Sequence, residues 1–225
     1  MAPEIGQIEK PAADQYKSSR KIYIVPLVLH SENSPEEYKE KCRRYWLEVM
    51  EHISNLESKL GPIRRIYHES IVVDGEEGVA VMEKFNPAGR EITRTRCQAG
   101  ASFELAEDRS IAEEAMDWER CLMLGFVSEK VASKVSEAFN DAARRRWEHI
   151  AARINQTLKE GEAGVLFIRE GHRVQFPASI DVFIVFPPAL NDIQRWLREQ
   201  VEKRIAESPS TAGDETSDTA SNPGR

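Results

Sequence analysis

Two histidine–glutamate pairs are the groups best suited to move a proton or hold a metal. His68 and Glu69 are adjacent in Tyr67-His68-Glu69-Ser70, and Glu170 and His172 flank a glycine in Arg169-Glu170-Gly171-His172-Arg173. An imidazole beside a carboxylate suits acid–base transfer near neutral pH, or ligation of a zinc-like ion. His68, Glu69, Glu170 and His172 are therefore the candidate catalytic residues. Each pair also has a structural explanation. A strand histidine is a common hydrogen-bonded filler, and a tight turn needs polar residues in any case. Strand alternation would send His68 and Glu69 to opposite faces, so one site could not take both without a bulge.

Two charged helical runs are weaker candidates. Glu113, Glu114, Asp117 and Glu119 precede Arg120. Glu113 and Asp117 share a helix face at i, i+4, and a pair of carboxylates could bind a divalent ion through oxygen. Asp117 joins Glu170 and His172 as a candidate metal ligand. The competing reading is a solvated, ion-paired helix face, and the absence of Glu-x-x-His on this helix counts against a di-iron site. Arg144, Arg145 and Arg146 are consecutive, and Trp147 next to them falls on the apolar stripe of the helix and reads as core. The arginines are the candidate phosphate contacts, against the alternative of pairing with the acidic helix.

Other chemistry lacks its usual support. The chain has no Walker A loop, no G-x-G-x-x-G, no G-x-S-x-G, no H-E-x-x-H and no C-x-x-C. Nucleotide hydrolysis by a P-loop, hydride transfer and serine hydrolysis are thus without their motifs, and no cofactor is expected. A net charge of -7 argues against a broad nucleic-acid footprint, and no DNA-binding motif is present. The three scattered cysteines do not make a disulfide framework. With no apolar leader and no apolar run of membrane-spanning length, a cytoplasmic protein away from membranes is expected.

The elements that would position these groups follow from periodicity. Gly161–Leu190 holds two dense apolar runs, Gly164–Ile168 and Val182–Phe186, and is the expected centre of the sheet. Ile22–Leu29 reads as a first strand in which Pro26 cannot donate, so it lies at an edge or is paired on one side there. Ser34-Pro35-Glu36-Glu37 reads as a capping box opening a helix to Leu60. Ile63–Val73 reads as a second strand, parallel to the first across that helix. Shorter helices follow over Asp74–Phe85 and Ile92–Cys97. Ser110-x-x-Glu113 reads as the start of the acidic helix, and Ser128 as the cap of a long one running toward Gly161. Straight, that helix would reach roughly 50 Å at 1.5 Å per residue, so it must kink or project. Glu170-Gly171 reads as a hairpin turn between Val165–Arg169 and His172–Phe176. A last helix follows Pro187-Pro188, with Leu190, Ile193, Trp196, Leu197, Val201 and Ile205 inward.

The runs KIYIVPLVLH, MDWERCLMLG and GEAGVLFIREGHRVQFPASIDVFIVFPPALNDIQRWL resemble an uncharacterised archaeal and bacterial protein family over about Lys21–Lys203. There is a looser similarity to archaeo-eukaryotic release-factor-like proteins in the long helix and C-terminal strand pair. The Gly-Gly-Gln of those factors is absent, so the resemblance implies no peptide release.

The expected fold is α/β: a small mixed sheet of about four strands covered by about six helices, with one long helix before the C-terminal strand pair. The expected layout is a flexible arm over 1–20, one domain over 21–205 and a disordered acidic tail over 206–225. The leading functional expectation is a non-catalytic binding or regulatory protein. Its partner would be RNA or a ribonucleoprotein in translation, or a second copy through the long helix. The alternatives are a metal-assisted hydrolase at the strand ends and a homo-oligomeric assembly protein.

Overall fold

The computed structural model describes residues 16–207. The expected N-terminal arm and C-terminal tail fall mostly outside them. Five strands form the sheet: β1 (Arg20–Pro26), β2 (Ile63–His68), β3 (Ser102–Phe103), β4 (Ala163–Ile168) and β5 (Ile180–Ile184). Their order is β3-β2-β4-β1-β5, and every pairing is parallel. The α/β class and the long helix before the last strands are as expected. The sheet is parallel rather than mixed, and its five strands are close to the four or so expected. His172–Phe176 does not run back as a hairpin arm. Gly171 takes a positive φ of 81°, but the chain then crosses over β1 to reach β5.

The strand expected either to lie at an edge or to be paired on one side at Pro26 lies inside the sheet and meets the second condition. β1 pairs with β4 through Pro26, whereas its pairing with β5 ends at Ile24. At Pro26 the strand is paired on one side, so no ladder bond is lost to the missing N–H. The proline carbonyl instead accepts from the Tyr45 hydroxyl at 2.6 Å.

A parallel sheet has to be covered on both faces, and two clusters do this. On the first face, α1 (Glu36–Leu60) buries Cys42, Tyr45, Trp46, Val49 and Ile53 against Tyr23, Val25, Val165 and Phe167. Helices α2 (Gly75–Phe85), α3 (Arg90–Gln98) and α6 (Pro188–Glu207) complete that layer through Met82, Ile92, Leu190 and Ile193. On the second face, α5 (Glu129–Thr157) lays Ile150 and Ile154 over Ile22, Ile24, Tyr67 and Leu166. Helix α4 (Arg109–Met123) packs against α5 rather than on the sheet.

The 29 residues of α5 span about 44 Å, and its buried positions start only at Ala142. Its first half therefore projects beyond the sheet, paired with α4. The outer part of α6 departs from the expected stripe: Leu197, Val201 and Ile205 are exposed. Two helix starts also differ. Asp108, not Ser110, caps α4 by accepting from the Ile111 amide at 3.0 Å. Ser34 does not cap α1; its hydroxyl accepts from the Ser31 amide.

Gly78 shows where packing overrules helix propensity. A Cβ there would stand 2.5 Å from Phe103 Cδ1 and 2.8 Å from the Val73 carbonyl oxygen. Alanine ordinarily gains ~1 kcal/mol over glycine inside a helix. Forcing β3 and the β2–α2 turn apart should cost about 1–3 kcal/mol, so the sign reverses. Gly78→Ala is expected to lower the urea midpoint, and a raised midpoint would refute this packing.

Candidate functional site

In open parallel sheets, ligands bind beyond the carboxyl ends of the strands, where neighbouring connections leave toward opposite faces. This sheet has such a point between β2 and β4. From β2 the chain leads to α2, whose Met82 is part of the first-face core. From β4 it leads into the 169–179 segment, whose Val174 and Phe176 pack on the second face. The ends of β2 and β4 carry His68-Glu69-Ser70 and Arg169-Glu170, so most of the candidate acid–base residues meet this edge of the sheet.

Alternation separates them. His68 points into the first-face core, 1% exposed, against Phe85 and Phe167. Its Nδ1 contacts the Glu69 carbonyl, and its Nε2 has no hydrogen-bond partner. Burial pushes the imidazole pKa down to about 4. A neutral, sealed ring with no route to a ligand is core, not catalyst.

Glu69 turns to the second face and is buried there. It accepts from the Arg169 amide at 2.8 Å, and its own amide donates to the Phe167 carbonyl at 2.9 Å. Burial raises its pKa, against the pull of Arg169 and Arg146. Beside it lies a buried ionic contact between Arg146 and Glu107. The Arg146 Nε reaches both Glu107 oxygens, at 2.9 and 3.0 Å, and Nη2 also contacts Glu107. Nη2 further donates to the Ser70 hydroxyl at 3.2 Å, while Glu107 accepts from the Ser70 amide at 2.8 Å. Ser70 is the one non-glycine residue with positive φ among the described residues, at 67°. Such a conformation persists where its surroundings hold it, here through Arg146 and Glu107.

A cleft of about 1010 Å³ opens next to this network. Its walls come from α4 (Ala115, Glu119), α5 (Phe139 to Glu148) and the loop after β4 (Arg169 to Arg173, and Gln175). Glu170 and His172 both line it. Glu170 accepts from Gln194 Nε2 at 2.6 Å, which ties the loop to α6. His172 is half-buried, its Nδ1 3.3 Å from the Val174 amide, and burial lowers its pKa. Arg169 pairs with Glu119 at 2.8 Å. Arg173 also lines the cleft, is exposed, and has no hydrogen bond or ion pair among the described residues. Phe139 and Trp147 supply the apolar wall. Trp147, read from the sequence as core, is half-buried at the cleft.

The other candidates lie apart. Asp117 is on the exposed side of α4, paired with Arg120 at 2.8 Å. Among the described residues no group of three or more His, Cys, Asp or Glu side chains could hold a metal ion, so Asp117, Glu170 and His172 do not converge. The three arginines divide between two environments. Arg144 is exposed and pairs with Asp141 and Glu148; Arg145 pairs with Asp141 and with Glu114 on α4. Arg146 is buried and belongs to the Glu107 network. Glu107 and Arg173 were missed in the sequence. Glu107 carries no local mark of its role, since its partners Ser70 and Arg146 lie 37 and 39 residues away.

Comparison of the chain with protein families, curated proteins and solved structures finds no match in any of the three. Among the described residues no helix is long and apolar enough to cross a membrane.

Two outcomes test this geometry. Arg146→Met leaves Glu107 and Glu69 buried without their cation and should cost about 3–5 kcal/mol in urea unfolding. Arg144→Met, on the solvated side of the same helix, should leave the midpoint where the wild type has it. Equal effects would mean that Arg146 is not the buried ion. For His68, the unfolded chain takes up the proton near 6.5 and the folded chain only near 4. Its contribution is intact above pH 6.5 and is lost as pH falls through 4, about 3 kcal/mol in all. His68→Phe should flatten that part of the stability–pH curve, and an unchanged slope would count against a sealed, neutral His68.

Proposed function

We propose that the protein is a non-catalytic binding or regulatory protein, and that its ligand occupies the cleft beside the β2–β4 switch point. The ligand would be a small organic anion with a flat or apolar body. One observation carries this: Arg173, with no ion pair among the described residues, lines a cleft that Phe139 and Trp147 also line. The volume suits a small molecule, and a few fixed polar groups in a partly apolar cleft are what such sites need. The carboxylates around Arg144 and Arg145 make that stretch of α5 a poor phosphate track, so an RNA partner is the less favoured version.

An acid–base enzyme is the second reading, because Glu170 and His172 line the same cleft two residues apart. It would run without His68, which faces the opposite core, and without a protein-built metal cage.

Native mass spectrometry of gently purified protein is the decisive experiment. The expected result is a stoichiometric small-molecule adduct, lost in Arg173→Ala with the melting temperature of the free protein unchanged. A bare mass, with no thermal shift from aromatic carboxylates or nucleoside monophosphates, would sink the cleft-ligand reading. If instead turnover is found, and Glu170→Gln and His172→Gln abolish it without loss of binding, the enzyme reading takes over.

A further inference from the structure

We propose that β5 is the contact strand for a second copy of this chain, joined antiparallel across a two-fold axis to make one continuous ten-stranded sheet. β5 closes one end of the strand order, and among the described residues no strand pairs with its outer side. The Val185 amide donates to the Ile24 carbonyl at 2.9 Å, so alternation turns the N–H and C=O groups of Val182 and Ile184 outward. Those same residues expose apolar side chains. Val182 is 46%, Ile184 68% and Phe186 48% exposed, all on one face of the strand. They lie on the second face of the sheet, where the cluster under α5 takes in Ile22, Ile24, Leu166 and Ile180 but not Val182 or Ile184.

Natural edge strands are guarded against further pairing by charges, prolines or bulges. The one charge of β5, Asp181, is set opposite Lys21 of β1 and alternates to the other face from Val182 and Ile184; Val182–Phe186 carries no charge or proline, and the nearest prolines, Pro177 and Pro187, stand outside the strand. The sequence is also complementary to itself in reverse. With the two-fold at Phe183, Val182 faces the partner's Ile184 and Phe186 faces the partner's Ile180. Every cross-strand pair on that face is then apolar, which is how antiparallel strands gain stability. The outward-turned groups of Val182 and Ile184 fall opposite each other, as a hydrogen-bonded pair requires. An isologous contact of this kind closes at two copies and does not grow into a fibre.

The chain's own ends are poorer occupants. Residues 208–225 contain no large apolar side chain, and residues 1–15 hold only Met1, Ile5 and Ile8 among prolines and charges. Two other exposed apolar stretches, Met123, Leu124 and Val127 at the α4–α5 turn and Leu197, Val201 and Ile205 on α6, offer side chains but no open backbone edge. The first serves as the control.

Sedimentation equilibrium of the full chain at tens of micromolar tests the proposal. The wild type should be a dimer. Ile184→Lys and Val182→Lys should each weaken it roughly tenfold or more while keeping the wild-type circular dichroism, because both positions are exposed. Leu124→Lys should leave the dimer intact. A monomeric wild type would overturn the proposal. So would a dimer that survives both β5 variants, or one that only Leu124→Lys dissociates.

Discussion

A sheet in which every pairing is parallel can exist only with both faces shielded from water, and the rest of this molecule follows from that constraint. The two central strands are apolar on both sides. Tyr23 and Val25 face one layer, and Ile22 and Ile24 the other. The chain meets the requirement unequally. Four helices cover the first face, whereas α5 alone covers the second, with α4 stacked outside it. The cleft opens beside α4 and α5, at the carboxyl end of β4. The apolar residues of β5 are bare because α5 ends its coverage at β1 and Ile180.

Covering the second face with one long helix brings Arg146 over the sheet. Its guanidinium cannot be left alone in the core, and Glu107 and Ser70 close around it. This contact joins α5, the β3–α4 connection and the turn after β2. It also leaves Glu69 free to hold the Arg169 backbone, which fixes the start of the loop lining the cleft. Arg169 and Glu170 then leave in opposite directions, one to Glu119 on α4 and the other to Gln194 on α6. The loop is thus anchored to both layers, and Arg173 lines the cleft with no ion pair among the described residues.

Local signals in the sequence were strong where one residue decides the matter alone. The α1 stripe of Cys42, Tyr45, Val49 and Ile53 is buried as its spacing requires. The apolar runs at β4 and β5 are strands, and alternation did send His68 and Glu69 to opposite faces. Signals that depend on a distant partner misled. Glu170-Gly171 has the form of a hairpin turn, yet no antiparallel partner awaits His172–Phe176, because β1 already occupies that side of β4. Trp147 sits at a helical spacing that reads as core, but the wall it would need is the open cleft.

The sequence by itself determined the class of the fold, the main helices and the inner face of α1, and the gathering of acid, imidazole and guanidinium after β2 and β4. Those properties depend on periods of two and 3.6 residues, which are local. Tertiary structure alone decided that the sheet is parallel, that β1 lies inside it, that Arg146 is a buried ion while Arg144 is a solvated one, and that β5 is left with an open edge. Each of these depends on which strand lies beside which, and strand order is set by the packing of segments as far as 160 residues apart, as in the pairing of Ile22 with Val182. No repeat or motif within a short window encodes that order.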